Sequence, residues 1–153
     1  MSLNDIKKWG NATWFLFHTL AIKLKDEKKL VNDLLHKIID ICHNLPCPTC
    51  REHAVKTIKN SDINKIITKK DLIQYIFSFH NIVNKKLKKK IFDFKEHEDL
   101  FKRAKTINII NHWIAIMLQN VNNEKGMTDT YNRQVCVRRV IKFLKENLQH
   151  FNL

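Results

Sequence analysis

The scarcity of turn residues limits what this chain can fold into more than any other feature of its sequence. Only two glycines and two prolines occur among its 153 residues. A β-sandwich or barrel joins many short strands through turns that are rich in such residues. The sequence therefore predicts an all-α fold. A chain of this length makes one domain and buries roughly 70% of its unfolded surface.

Apolar residues recur at intervals of three and four along most of the chain, which is the spacing of one buried helix face. Residues 45–46 interrupt this pattern, and Pro48 suits the first turn of the helix that follows. Residues 92–94 are expected to form a connector, and residues 122–126 are expected to separate the last two helices. The pattern predicts six helices, at residues 11–25, 28–43, 47–60, 71–88, 99–121 and 129–148.

The formal charge of +13 raises the question of a nucleic acid or an anionic membrane as partner. The lysines are spread over nearly every segment, which favours a solvated basic surface, and no nucleic-acid-binding motif is present. We therefore expect no specific nucleic acid partner. No stretch approaches about 18 uninterrupted apolar residues, so we expect no membrane span. The first residues lack the pattern of a secretion signal.

Four cysteines lie at positions 42, 47, 50 and 136, and two of them form a C-x-x-C. At a helix start, free N–H groups and the helix dipole lower thiol pKa values, so Cys47 and Cys50 could exchange electrons by opening and closing a disulfide. Cys42, Cys47, Cys50 and His53 could instead be the four ligands of a structural zinc ion in a helical interaction module. The spacing alone leaves both alternatives open.

Two further motifs flank the cysteine pair. The first is Trp9-Gly10-Asn11-Ala12-Thr13-Trp14-Phe15-Leu16-Phe17-His18, and the second is His80-Asn81-Ile82-Val83-Asn84. In this order the three motifs resemble the Erv/ALR family of FAD-linked sulfhydryl oxidases, and most of all the versions of large DNA viruses. The resemblance covers about residues 6–101. It implies a four-helix FAD-binding bundle with a short fifth helix, to which this chain adds C-terminal helices.

The resemblance also implies roles for individual residues. Trp14 and His18 match residues that pack around the flavin nucleotide, and Phe101 lies where the family often has a tryptophan against the cofactor. The His80 motif matches a segment on the adenine and ribose side of FAD, and Lys86 and Lys89 match lysines near its phosphates. The cofactor-binding residues implied in this way are Trp9, Gly10, Trp14, His18, His80, Asn81, Val83, Asn84, Lys86, Lys89 and Phe101.

The implied activity is oxidation of dithiols in proteins or small molecules, with electrons passing through FAD to O₂ to give hydrogen peroxide. Cys47 is then the cysteine that exchanges with the substrate, and Cys50 attacks the flavin. The chain lacks the second structural pair and the tail cysteines that many family members carry. Cys136 is expected to be an idle buried thiol, or to pair with Cys42 or with a partner subunit.

The resemblance divides the chain into two parts. Residues 1–103 are expected to form the FAD-binding bundle, and residues 104–153 a helical extension packed on the bundle or at a dimer interface, with Trp113, Ile114 and Met117 in that contact. We expect a homodimer with a thiol-containing protein substrate or redox partner. The expected compartment is the cytoplasm, or the host cytoplasm or virion for a viral protein.

Overall fold

The computed structural model describes residues 3–26, 28–119 and 127–153. Over these residues the chain is helical, and its one β-type contact is an isolated bridge between Leu24 and Phe151, which confirms the predicted all-α fold. Two single turns of 3₁₀-helix, Ile63–Lys65 and Leu148–His150, accompany the α-helices. The α-helices are α1 (Leu3–Lys23), α2 (Lys28–His43), α3 (Pro48–Lys59), α4 (Lys69–Lys86), α5 (Phe94–Arg103), α6 (Thr106–Met117) and α7 (Met127–Asn147).

Helix α1 begins well before the predicted start at residue 11. Gly10 lies inside the helix, with nothing within 4 Å of the position that a Cβ would take. A helical glycine costs only about 1 kcal/mol relative to alanine, and burial of Trp9 in the core together with packing of Ile6 against it offsets that cost. The predicted start at residue 11 was therefore wrong, since the helix runs through the glycine from Leu3.

The single helix predicted over residues 99–121 is wrong as well, because two helices meet there. Ala104 and Lys105 both have extended backbone, which ends α5 and starts α6. The fully buried hydroxyl of Thr106 donates to the carbonyl of Asn152 at 2.6 Å and fixes the start of α6. Helix α5 begins within the expected connector, since the Asp93 side chain caps its N-terminus. The separator at 122–126 lies outside the described residues.

Helix α1 is the central element, packed against α4, α5 and α6, while α2 contacts α3, α4 and α7. The most buried contact of α6 is made by Trp113, which is fully enclosed and donates its indole N–H to the hydroxyl of Thr13 at 3.2 Å. Met117 is also buried, and Ile114 packs against the same core. These α6 side chains therefore cover the bundle within the chain.

No helix among the described residues combines the length and apolar character needed to cross a bilayer.

Candidate functional site

Flat rings from several parts of the chain meet beside the second half of α1. The indole of Trp14 is stacked on the imidazole of His80, with ring centroids 4.2 Å apart and planes 8° apart. His18 is stacked on Phe101 at 4.7 Å and on Phe92 at 5.1 Å. Helices α1, α4 and α5 thus bring Trp14, His18, His80 and Phe101 together, as a ring cluster that also contains Phe92. Parallel ring faces at such spacing are how proteins hold flat aromatic groups.

The two histidines of this ring cluster are hydrogen-bonded, with Nε2 of His18 lying 2.9 Å from Nδ1 of His80. Burial, together with the neighbouring His80 and His97, lowers the pKa of His18 to about 3. Burial, together with the charges of Lys89 and His97, lowers the pKa of His80 to about 4. Both imidazoles are therefore neutral at pH 7, where they can stack and share one proton without adding charge.

Asn81 fixes Phe92 in the ring cluster. Its amide nitrogen donates to the Phe92 carbonyl at 3.1 Å, and its amide oxygen accepts from the Phe92 N–H at 2.7 Å. A side-chain amide that satisfies both backbone groups of one residue acts like a paired strand neighbour. The sequence motif therefore contributes to the site through Asn81, but by positioning the chain after α4.

A helix cap turns that same segment back toward the site. After α4 ends, Lys88 takes a left-handed φ of 55°. The N–H of Lys89 donates to the carbonyl of Asn84 at 2.9 Å, and that of Lys88 donates to the carbonyl of Lys85 at 3.2 Å. This pair of bonds is the Schellman motif, in which glycine usually occupies the left-handed position. The cap brings the charge of Lys89 close enough to His80 to lower its pKa.

Cys47 and Cys50 lie at the opening of α3, both half-buried. Cys47 is the N-cap residue, and its Sγ accepts a hydrogen bond from the Cys50 N–H at 3.3 Å. Burial and the hydrogen bond with the Cys47 thiol raise the pKa of Cys50, and a backbone N–H lowers it by less. The prediction that the helix start activates both thiols is therefore wrong for Cys50 in the dithiol form, since desolvation exceeds the effect of the helix end.

Arg51 braces the turn that carries Cys47 and Cys50, and its part was not foreseen from the sequence. It donates to the carbonyl of Leu45 at 3.2 Å and to the Asp129 carboxylate of α7 at 3.0 Å. One turn beyond Cys50, His53 has its pKa lowered by burial and by the nearby charges of Lys86 and Lys56. The lysine-rich end of α4 therefore lies near α3.

The other residues predicted for the site lie in the helices that surround the ring cluster. Asn84 is buried near the end of α4, and Val83 packs against the core. Trp9 is a core residue of α1, and nothing near Gly10 requires a glycine. Besides Arg51, two residues of the site were not predicted from the sequence: Phe92 and His97, whose rings lie 4.3 Å apart. The sequence feature that could have indicated them is an aromatic residue and a histidine that closely follow the lysine-rich residues 85–90.

The zinc alternative gains no support from this geometry. Among the residues that the structure describes, no group of three or more His, Cys, Asp or Glu side chains is arranged to hold a metal ion. Cys42 is buried against α7, apart from the hydrogen-bonded pair of Cys47 and Cys50.

Comparison with known proteins decides the family. The model of the Erv1 / Alr family matches residues 11–103, which is more than half of the chain. The chain belongs to this family. That span contains the cysteine pair, the aromatic and histidine cluster and the Asn81 brace, and it excludes α6 and α7.

Relatives of the Erv1 / Alr chain come from viruses and from cells. An FAD-linked sulfhydryl oxidase of African swine fever virus (isolate Pig/Kenya/KEN-50/1950) is 31% identical over 98 residues, which are 63% of this chain and 82% of the relative. The FAD-linked sulfhydryl oxidase ERV1 of Oryza sativa subsp. japonica is 32% identical over 54% of this chain and 43% of its own length. The FAD-linked sulfhydryl oxidase ERV2 of Saccharomyces cerevisiae is 34% identical over 57% and 45%. No solved structure gives a significant match.

Proposed function

We propose that this protein is an FAD-dependent thiol oxidase that forms disulfides in dithiol substrates and passes the electrons to O₂. The observation that carries the proposal is the occurrence, in one Erv1 / Alr chain, of a C-x-x-C at a helix start and a stacked ring cluster on α1, α4 and α5. Relatives from a virus, a plant and a yeast that bear the name FAD-linked sulfhydryl oxidase support it.

The residues present fit FAD. Its ring systems are flat and aromatic, and Trp14, His80, His18 and Phe101 form a stack of flat rings with neutral imidazoles among them, which we propose a ring of FAD extends. Its phosphates are anionic, and we propose Lys86 and Lys89 as their point-charge partners. We propose that Asn81 and Asn84, with Val83 packed behind them, shape the adenine and ribose side. Trp9 and Gly10 then belong to the supporting part of α1.

The cysteine chemistry follows from the order of the pair. In the disulfide form, a substrate thiolate attacks Sγ of Cys47, and Cys50 leaves with the electron pair of the broken S–S bond. The second substrate thiolate then attacks the mixed disulfide, which releases Cys47 and yields the substrate disulfide. When bound, FAD accepts the two electrons of the resulting dithiol and delivers them to O₂ as hydrogen peroxide. Since the pKa of reduced Cys50 is raised, proton loss from this thiol is a step that the site must assist.

Space for a substrate exists beside the pair. An open cleft of about 620 Å³ runs along α3, with Pro48 and His43 near its cysteine end and Lys56 and Lys59 farther along. We propose that the thiol-containing segment of a substrate protein enters here, where its sulfur can reach Cys47.

The test is purification followed by two measurements. The protein should be yellow, with a flavin absorption band, and should consume O₂ when supplied with a dithiol. Cys50→Ser should keep the FAD and lose at least 99% of the O₂ consumption. Cys136→Ala removes a thiol outside the C-x-x-C and should keep measurable O₂ consumption, which Cys50→Ser should not. A colourless protein with stoichiometric zinc contradicts the proposal, and full turnover by Cys50→Ser contradicts the roles given to the pair.

We further propose that the protein is a homodimer and acts in the cytoplasm, or in the host cytoplasm or virion if its source is a virus. The resemblance to Erv/ALR proteins supports the dimer, and the relatives from viruses support the viral setting. Sedimentation velocity at several protein concentrations tests the dimer. A single species at the monomer mass of 18.3 kDa contradicts it.

A further inference from the structure

Helices α2 and α7 lie against each other with a defined antiparallel register. The ammonium of Lys37 on α2 lies 5.8 Å from the ring centroid of Phe143 on α7. One turn further along α2, the Asp40 carboxylate accepts two hydrogen bonds from the guanidinium of Arg139, at 2.8 and 2.9 Å. The two helices run antiparallel, so a contact further toward the C-terminus of α2 involves a residue nearer the N-terminus of α7. These two contacts therefore indicate which residues face each other at the next position.

That next position holds two cysteines. Cys42 follows Asp40 by two residues, and Cys136 precedes Arg139 by three, which is one helical turn. The side chains of both cysteines are almost fully buried, at 2% and 1% exposed. Burial and the neighbouring Cys136 raise the pKa of Cys42 to about 12, and burial and the charge of Asp40 raise that of Cys136 to about 12. Each thiol therefore faces the other helix at the same level.

We propose that Cys42 and Cys136 form a disulfide that fastens α7 to α2. Both are free thiols in this structure. Facing residues of packed helices can reach the Cα separation that a disulfide needs. The bond lies in the interface one step beyond the Asp40–Arg139 ion pair, which fixes the register of the two helices next to it.

The oxidant is an aliphatic disulfide. One cysteine thiolate attacks it, forms a mixed disulfide and expels one thiol; the second cysteine thiolate displaces the other. Two protein thiols lose two electrons and two protons, and the aliphatic disulfide becomes two thiols. Because the pair is buried, both steps take place while α7 is undocked, and docking then shields the new bond from reductants.

The bond affects the turn that carries Cys47 and Cys50 through a separate contact. Helix α7 also carries Asp129, which pairs with Arg51 directly after Cys50. A cross-link at Cys136, two turns along the same helix, keeps this carboxylate close to the turn. The C-terminal helix, which lies outside the matched family span, thereby becomes a fixed support of the cysteine pair.

The test uses the full chain with Cys47→Ser and Cys50→Ser, so that only two thiols remain. This protein is unfolded, refolded in a buffer of oxidised and reduced glutathione, and alkylated. We expect a mass lower by about 2 Da with no alkylated thiol, the loss of two hydrogen atoms, and a non-reduced peptide that links positions 42 and 136. The control adds Cys136→Ala and should leave Cys42 alkylated or carrying glutathione.

Thermal unfolding is the second measurement and needs no further substitution. The cross-linked form should melt higher than its reduced form by on the order of 10 °C, since the bond closes a loop of about 94 residues. The Cys136→Ala control should show no dependence on reductant. Two alkylated thiols after refolding, or a chain-to-chain disulfide through Cys136, would overturn the inference. So would a melting temperature that does not respond to reductant.

Discussion

The hydrogen-bonded histidines make the stability of the fold sensitive to acid. His18 has a pKa of about 3 in the folded protein, against an ordinary value of 6.5. Because the folded pKa is the lower one, the unfolded chain binds the proton first, and stability falls as pH decreases below 6.5. Between pH 7 and pH 5 the unfolded imidazole goes from mostly neutral to mostly charged while buried His18 stays neutral. This difference removes about 2 kcal/mol of unfolding free energy.

His18→Gln isolates that contribution. The glutamine amide can still donate to Nδ1 of His80, but it does not titrate. The variant loses the stacking of His18 on Phe101 and Phe92, which costs about 1–2 kcal/mol at pH 7. Its further loss between pH 7 and pH 5 should be smaller than that of the wild type by about 2 kcal/mol. His80, whose pKa is also lowered in the folded protein, still makes the variant less stable as pH falls.

The assay is urea unfolding followed by far-ultraviolet circular dichroism at half-unit pH intervals, with a fixed saturating FAD concentration. His112→Gln, the same exchange at an exposed position of α6, is the matched control and should follow the wild type. If the free energy of unfolding of His18→Gln changes with pH in the same way as that of the wild type, the reasoning is refuted, because His18 would then have the same pKa in the folded and unfolded chain.

Two further substitutions test the segment after α4. Asn81→Ala should lower the free energy of unfolding by about 1–3 kcal/mol and weaken FAD binding, because it leaves the N–H and the carbonyl of Phe92 without their hydrogen-bond partner. Denaturant unfolding and flavin fluorescence measure the two effects. Asn111→Ala, at an exposed position, should produce neither effect. Lys88→Gly should raise stability by about 1 kcal/mol because it relieves a left-handed φ, whereas Lys90→Gly should not; equal melting temperatures for Lys88→Gly and the wild type would contradict the strain.

Helix content was predictable because it follows from periodicity, and α2 was located residue for residue. The errors lie where tertiary contacts override local preference. The first helix was predicted to start at residue 11, but α1 continues through Gly10 with Trp9 buried in the core. The break at Ala104 carries neither glycine nor proline, and it depends on a hydrogen bond from Thr106 to a residue near the C-terminus. No local pattern contains that information.

The candidate site was predictable where a residue belongs to a motif. The motifs led to Trp14, His18 and His80, which the fold brings into one cluster. Phe92 was not found because its place depends on Asn81 eleven residues earlier. The pKa of Cys50 was predicted in the wrong direction, since burial of a thiol beside another thiol cannot be read from its position at a helix start.

The N-cap formed by Cys47 bears on how much the backbone must change when the proposed disulfide with Cys50 forms. In the dithiol form its Sγ closes the first turn of α3 by accepting from the Cys50 N–H. In the disulfide form a covalent bond joins the same two residues and closes the same turn. In the proposed mechanism the backbone of this turn therefore has little to rearrange between the dithiol and disulfide forms.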